Sequence, residues 1–312
     1  MSVLSRQLQV VAFADEYTRQ YYEVVDSETT CALIKPDAYE RMGDIIEIVQ
    51  SSLQLRITRL RMFKLSKAQA VQFVSEHQAD KDFDDLTDFM SSDAIVVMVL
   101  CGRDAVKVWR DAVGPLNSAQ AKIEAPTSIR ALYGTDAIRN AVHGSESTER
   151  AAWEMGFFFT ALELVQSTTA ILNNCSLCII KPHVVHSAAG KIIAQILENG
   201  LEISAMELLD LSFPIVEEFM EAYRRVLPEF ADICAQIASG QCLVMEIRQE
   251  GVVEKLRALV GPLDPELGKK IRPQSMRAKY GIDRVRNAVH CTDLVEDGQL
   301  ECEYFFSLLK QR

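Results

Sequence analysis

The sequence lacks an apolar run near the roughly 20 residues that a membrane-spanning helix needs. Its start, MSVLSRQLQV, also lacks a basic region followed by a long apolar core. We therefore expect an intracellular protein without a membrane partner. Positive charge is scarce as well: the chain has 33 Lys and Arg and 44 Asp and Glu, which gives a net charge of −11. This disfavours a general nucleic-acid binder, whose affinity comes mostly from neutralising phosphates, but it allows a locally positive cleft.

Paired cysteine motifs are also few. The eight cysteines are irregularly spaced, and several of them, such as Cys31 and Cys242, lie in apolar runs that predict buried thiols of a reducing compartment. Cys175 and Cys178 form a CxxC, but no second pair or nearby histidine cluster completes a zinc set. We interpret this pair as the entrance of a strand, with a structural or redox role as the alternative, and we predict no metal held by protein ligands alone.

A long internal repeat organises the chain. The segment IRNAVHG, residues 138–144, returns as VRNAVHC, residues 285–291, so that His143 and His290 lie 147 residues apart. A period this long indicates duplication of a whole domain, because solenoid repeats run at roughly 20 to 50 residues. With 312 residues, of which 48% are hydrophobic, the chain has the length and composition for two well-cored domains.

Each repeated histidine is accompanied by three cations and a carboxylate. The cations are Lys35, Arg110 and Arg130 in the first unit and Lys181, Arg257 and Arg277 in the second. Arginine and lysine are the side chains that hold phosphate, and a neutral imidazole beside them can attack phosphorus. A glutamate follows each histidine by eleven residues, Glu154 and Glu301. Its carboxylate would fix the imidazole tautomer if it bonded the other ring nitrogen.

The motifs KPDAYERMG, SIRALYG and NAVHGSES occur in order in the first unit, and related motifs recur in the second. Both units thus resemble nucleoside diphosphate kinase domains. The resemblance implies ping-pong transfer of the terminal phosphate of a nucleoside triphosphate to a nucleoside diphosphate through phosphohistidine, with Mg²⁺ bound with the nucleotide. It assigns His143 and His290 as catalytic; the spacing described above gives Glu154 and Glu301 their supporting role. The substrate-binding residues that it implies are Lys35, Arg110, Arg130, Asn140, Lys181, Arg257, Arg277 and Asn287. Asp82 and Glu229 fall where the family usually has an aromatic residue against the base, so we assign that role to their neighbours Phe83 and Phe230.

The chain departs from the family pattern at several of these positions. Leu116 and Leu263 stand where the family usually has a threonine that contacts phosphate. The Lys-Pro-Asp motif of the first unit has become Lys-Pro-His in the second, with His183 as its last residue. These departures predict weaker nucleotide binding, more so in the second unit.

The resemblance implies an α/β (α+β) fold of two tandem ferredoxin-like βαββαβ domains. Local patterns agree with strands at CALIKP, 56–65 and 94–100 and helices at 43–55 and 104–113. They also predict a loop from Gly114, a last strand at the aromatic run 156–159 and, in the second unit, a helix at 190–199. We assign residues 28–160 and 175–312 to the two kinase domains, 161–174 to a linker and 1–27 to an N-terminal segment.

The tandem arrangement is similar to that of family members found in ciliary axonemes. In these members a small β-rich domain precedes the kinase units, and residues 1–27 resemble its end; an ordinary strand on the first unit is the alternative. The resemblance implies location in the axoneme of a cilium or flagellum, with tubulin or other axonemal proteins as partners, or otherwise in the cytoplasm. A structural microtubule component with vestigial or regulatory nucleotide sites is the alternative function. Two similar units in one chain also predict a pseudo-symmetric monomer.

Overall fold

The computed structural model describes residues 2–3, 6–7, 27–163 and 168–311. Near the start, the short strands β1 (Ser2–Val3) and β2 (Arg6–Gln7) pair antiparallel. Apart from these two strands and Ser27, the segment 1–27 that we predict to be the end of a β-rich domain lies outside the described residues. Within the described ranges, every helix is too short or too polar to cross a bilayer.

The first unit contains four strands and the helices that cover them. Strand β5 is buried along almost its whole length, as its unbroken apolar run predicts. Helix α2 begins with a capping box formed by Ser66 and Gln69. The elements are β3 (Glu28–Ile34), α1 (Met42–Glu47), β4 (Arg56–Phe63), α2 (Lys67–Phe73), α3 (Phe83–Ser92), β5 (Ile95–Gly102), α4 (Ala105–Val113), α5 (Ser118–Glu124), α6 (Ile129–Tyr133), β6 (Val142–Gly144) and α7 (Thr148–Gly156).

The prediction of a last strand at residues 156–159 is wrong. These residues continue α7 as a π-helical turn, Phe157–Leu162, and the fourth strand is instead β6, which carries His143. A short run of buried aromatic residues cannot distinguish a helix from a strand by periodicity. Here the run follows a helix capped by Ser147 without any break, and Phe158 packs against Phe63 with ring centroids 5.4 Å apart. The loop predicted from Gly114 likewise contains the helix α5.

The second unit repeats the same order. Its elements are β7 (Cys175–Ile180), α8 (Pro182–Glu198), β8 (Glu202–Asp210), α9 (Phe213–Phe219), α10 (Phe230–Ile237), β9 (Gln241–Arg248), α11 (Val252–Val260), α12 (Pro265–Ile271), α13 (Met276–Tyr280), β10 (Val289–Cys291) and α14 (Gly298–Glu303). Helix α8 begins at Pro182, not at Gly190 as predicted, because proline is well placed in a first helical turn. The closing aromatic run again forms a π-helical turn, Tyr304–Leu308.

The two units share one antiparallel sheet of eight strands. Its order is β10-β7-β9-β8-β4-β5-β3-β6, so each unit contributes four strands in mirrored sequence outward from the centre. The units meet where Arg61 of β4 pairs with Glu207 of β8. This arrangement confirms the two ferredoxin-like domains and places β6 and β10, which carry the two histidines, at opposite edges.

Helices α1 and α8 cross on one face of the sheet with their backbones nearly in contact. A Cβ atom on Gly43 would lie 2.4 Å from the backbone nitrogen of Ala194, and one on Gly190 would lie 2.4 Å from that of Glu47. The Gln50 side chain bonds the α8 backbone, donating to Val185 O at 2.7 Å. Only glycine permits this approach, so the pairing of the two units depends on two residues without side chains.

Candidate functional site

The histidine of each unit follows a strained turn. Ala141 has φ of 68°, and Ala288, at the same place in the second unit, has φ of 70°. The left-handed region is costly for alanine, and such strain is typical of functional sites. In the first unit the Ala141 amide donates to Asp37 Oδ2 at 3.0 Å, while its carbonyl accepts from the Lys35 amide at 2.8 Å. The turn therefore ties the histidine strand to the lysine that ends β3.

His143 is held by a carboxylate network. Its Nε2 lies 2.8 Å from Glu154 Oε1, and Glu154 also accepts from Ser145 Oγ at 2.5 Å and from Arg150 Nε at 2.8 Å. Burial acts to raise the pKa of Glu154, but the hydrogen bonds from His143, Ser145 and Arg150 outweigh it and hold the pKa below its usual value. An ionised Glu154 can only accept a hydrogen bond, so Nε2 carries the ring proton and donates it to the carboxylate. The other ring nitrogen, Nδ1, then has a free lone pair.

The predicted cations surround this imidazole. Lys35 Nζ donates to Asn140 Oδ1 at 2.7 Å, and burial together with Arg130 lowers the pKa of Lys35 to about 8. Arg130 donates to Gly114 O at 3.0 Å, and its Nε is buried without a partner among the residues that the structure describes. Burial, aided by Arg110, lowers the pKa of Arg130 to about 10. Buried cations with an unused donor are suited to an anionic ligand.

Two adjoining cavities open onto His143, and Arg130 and Leu116 also line both. The smaller, of 240 Å³, contains Lys35 and Phe83, and the larger, of 940 Å³, contains Arg110. Asn140 holds the Lys35 ammonium group in place by accepting its hydrogen bond. The structure thus brings together all the site residues that the resemblance assigns to the first unit. Leu116, in the place of the usual threonine, is exposed and contributes its carbonyl, which accepts from Asn140 Nδ2 at 2.9 Å.

The second unit keeps the histidine but not its network. His290 Nε2 has no hydrogen-bond partner among the described residues, and Glu301 accepts from Thr292 Oγ1 at 2.7 Å. The 147-residue offset places Asp297 where the first unit has Arg150. Without the arginine, burial, together with Asp297 and Asp293, raises the pKa of Glu301 to about 7. Burial and then Lys181 and Arg277 lower the pKa of His290 to about 3.

Only some of the predicted site residues of the second unit line the same cavity as His290. A cavity of 640 Å³ is lined by Arg257, Arg277 and His290. Among the described residues that line this cavity, Lys181 and Phe230 are absent. The Lys181 Nζ donates instead to Val285 O at 3.0 Å, and Phe230 is buried in the core. Burial and then Arg277 lower the pKa of Lys181 to about 7.

Asn287 of the second unit differs from its counterpart Asn140. Its Oδ1 has no partner within the described ranges, whereas Asn140 Oδ1 accepts from Lys35. His183, which ends the Lys-Pro-His motif, lies in the first turn of α8, where its Nδ1 is 3.1 Å from Gln236 Nε2.

Sequence reasoning missed Arg150 and Ser145, which both bond Glu154. The four-residue spacing of Arg150 and Glu154 on one helix was an available signal. It also missed the aromatic rings against each histidine, for which no motif exists: Phe73 lies 5.5 Å from His143, and Phe219 and Tyr223 lie 5.4 and 5.8 Å from His290, between ring centroids.

Comparisons with known proteins agree with this geometry. The family model described as "Nucleoside diphosphate kinase" matches residues 28–164 and again 174–310. The chain is 42% identical over 311 residues to the rat protein "Nucleoside diphosphate kinase homolog 7", covering 99% of this chain and 78% of the rat protein. It is 46% identical over 139 residues to a nucleoside diphosphate kinase of Desulfovibrio desulfuricans, covering 44% of this chain and 97% of that protein.

Among solved structures, the chain is similar to the nucleoside diphosphate kinase of Aquifex aeolicus. The two share 40% sequence identity with a TM-score of 0.41, over 44% of this chain and 98% of that one. The family match covers both units, and the identity to the rat protein extends over nearly the whole chain. The chain therefore belongs to the nucleoside diphosphate kinase family and carries two domains of that family in tandem.

Proposed function

We propose that the first unit transfers the terminal phosphate of a nucleoside triphosphate to a nucleoside diphosphate through His143. The observation that carries the proposal is the 2.8 Å contact between His143 and Glu154 beside the cleft that Lys35 and Arg130 line. Nδ1 attacks the γ-phosphorus, the bond to the bridging oxygen breaks, and the diphosphate leaves with that oxygen. A terminal oxygen of a second nucleoside diphosphate then attacks the phosphohistidine and returns Nδ1 to its starting state.

The neighbouring groups would lower the barrier to both transfers. Glu154 stabilises the positive charge that the imidazole gains when its nitrogen bonds phosphorus. Arg110 and Arg130 face the negative oxygens of the transferring group. Mg²⁺ enters as part of the nucleotide substrate, because it is usually bound by phosphates with few protein carboxylates. Asp82 lines the smaller cavity and would add one carboxylate for such an ion.

The second unit is a weaker candidate for transfer, and we propose that it binds nucleotide without efficient turnover. Its His290 lacks the carboxylate contact among the described residues, and Asp297 takes the place of the arginine that orients Glu154 in the first unit. The Tyr223 ring lies 5.8 Å from the His290 ring between centroids, and His290 is only 7% exposed. This unit would serve as a regulatory or vestigial site.

Replacing Arg130 tests the first site directly. Arg130→Ala should lower the turnover number for phosphate transfer by about 10²-fold, the loss typical of one preorganised donor to a developing charge. The matched control is Arg277→Ala in the second unit, which should leave most of the activity. Steady-state kinetics with varied nucleotide separates the two effects. A change confined to the KM of Arg130→Ala would contradict its proposed role.

We also propose, from the tandem arrangement, that the protein associates with the axoneme of a cilium or flagellum, where tubulin or other axonemal proteins would be its partners. A structural role on doublet microtubules is the alternative to catalysis. Fractionation tests the location: the protein should stay with isolated axonemes after a salt wash. Its complete recovery in the detergent-soluble fraction would contradict this proposal without affecting the kinase activity.

The intramolecular pairing of the units supports a further proposal, that the chain is a pseudo-symmetric monomer. The glycine crossing and the β4–β8 pairing satisfy within one chain an interface that would otherwise need a second copy. Light scattering should give a mass near 35.0 kDa. A stable assembly of several times that mass would contradict it.

A further inference from the structure

Three metal-ligating side chains converge in the interior of the second unit, away from its cleft. The sulfur atoms of Cys175 and Cys302 and a carboxylate oxygen of Glu246 all lie within 4.8 Å of one another. All three residues are buried, at 5%, 0% and 0% exposure. We refer to them as the thiol–carboxylate cluster, and its members come from β7, β9 and α14.

We propose that the thiol–carboxylate cluster binds a zinc ion that holds the second unit together. Two thiolates and one carboxylate form a donor set of the kind zinc takes in proteins, and full burial is typical of a structural rather than a catalytic site. In a zinc site with bonds near 2.3 Å to sulfur and 2.0 Å to oxygen, donor atoms are separated by less than about 4 Å. The observed spacing therefore requires only a small inward movement of the three side chains.

The contacts around the two thiols agree with such a site. The two sulfur atoms lie within 4.8 Å of each other and of a Glu246 carboxylate oxygen, so one ion could reach both. The Gly298 carbonyl accepts from Cys175 Sγ at 3.7 Å, which puts one further oxygen beside this thiol. Zinc binding would form two zinc–sulfur bonds and release the two thiol protons to solvent, with no oxidation.

The carboxylate is fixed in position by its other contacts. Glu246 Oε1 accepts from the Leu172 amide at 2.6 Å, and Oε2 accepts from the Ile171 amide at 2.7 Å and from Ser204 Oγ. These bonds use three of about four lone-pair positions of a carboxylate, which leaves one for a metal. An ion here would tie the segment between the units, through Glu246, to helix α14.

The first unit lacks all three donors. Thr29 corresponds to Cys175 by the offset of the two Lys-Pro pairs, and Met155 corresponds to Cys302 by that of the two histidines. Cys31 pairs with Val99 as Leu177 pairs with Glu246, so Val99 stands in place of the glutamate. The cluster is thus a property of the second unit and not of the shared fold.

Metal analysis of the full chain tests the proposal. Protein purified under reducing conditions and washed with a weak chelator should retain about one zinc ion per chain. Refolding the chain with Co²⁺ should give thiolate-to-cobalt charge-transfer absorption and the visible bands of a tetrahedral site. Because this spectrum belongs to the unmutated chain, the test does not depend on whether variants fold.

Variants locate the site. Cys175→Ser and Glu246→Gln should lose the zinc and the cobalt spectrum. The control is Cys178→Ser, which removes the other buried thiol of β7; Cys178 faces Cys291 across the strand pair without a carboxylate, and this variant should keep both signals. Absence of zinc and of thiolate–cobalt absorption in the unmutated chain would overturn the proposal. So would a spectrum that Cys175→Ser leaves unchanged, or a disulfide between Cys175 and Cys302 in protein purified with reductant.

Discussion

His143→Ala should lower the turnover of the first unit by about 10⁴-fold or more, as loss of a nucleophile typically does, and leave the protein with only the slow turnover of the second unit. The reason is chemical: the covalent intermediate forms on this imidazole, and no neighbouring group can replace it. The fold should be preserved, because the His143 side chain is 26% exposed and its main polar partner, Glu154, keeps Ser145 and Arg150. A coupled assay of triphosphate formation gives the rate, and circular dichroism gives the fold.

The second histidine provides the matched control. His290→Ala should leave the turnover within about twofold of the unmutated protein, because most of the flux passes through the first unit. Equal losses in the two variants would show that the second unit turns over as fast as the first. Activity that survives in the His143→Ala, His290→Ala double variant would exclude the phosphohistidine route altogether.

The second large effect concerns the pairing of the units. Gly43→Ala should lower the free energy of unfolding by about 3 kcal/mol, the upper part of the range for overpacked interiors. The added Cβ would lie 2.4 Å from the backbone nitrogen of Ala194, and backbone cannot rotate away as the end of a flexible side chain can. Gly190→Ala should have a similar effect, because its Cβ meets the backbone of Glu47. Denaturant unfolding followed by fluorescence measures both.

Gly156 is the control for this pair. It also lies in a helix, but a Cβ there would have no neighbour within 4 Å, and its φ of −61° suits any residue. Gly156→Ala should therefore leave stability unchanged or raise it by about 0.5–1 kcal/mol, the usual gain from glycine to alanine at a compatible helical position. If Gly43→Ala and Gly156→Ala unfolded at the same denaturant concentration, the helix crossing would not be a tight interface.

The repeat and the apolar strands made most of the fold predictable. Strands such as β5 are continuous apolar runs, and the offset between His143 and His290 reveals the duplication from the amino-acid sequence alone. The last strand of each unit was not predictable in the same way. Strand β6 has only three residues, Val142–Gly144, which are too few for a periodic pattern. The aromatic run that follows α7 has the composition of a buried strand, and periodicity cannot distinguish the two.

The functional site was also predictable only in part. Residues inside the repeated motifs SIRALYG and IRNAVHG, such as Arg130 and Asn140, could be predicted because their spacing occurs twice. The difference between the units could not be predicted, because it depends on Arg150 and its replacement Asp297, which lie outside these motifs. Arg150 acts on His143 only indirectly, through Glu154. A histidine and a glutamate at the repeated spacing therefore do not establish that the two side chains meet: in the second unit Glu301 bonds Thr292 instead.

The first unit, rather than the second, is the one that we propose to form the phosphohistidine. The most direct measurement is to incubate the unmutated protein with γ-labelled ATP and Mg²⁺ for short times and to map the labelled peptides under alkaline conditions. We expect acid-labile, base-stable phosphate on His143, with little on His290, and loss of the label when a nucleoside diphosphate is added. Label confined to His290, or phosphate that is stable in acid and does not transfer, would contradict this account.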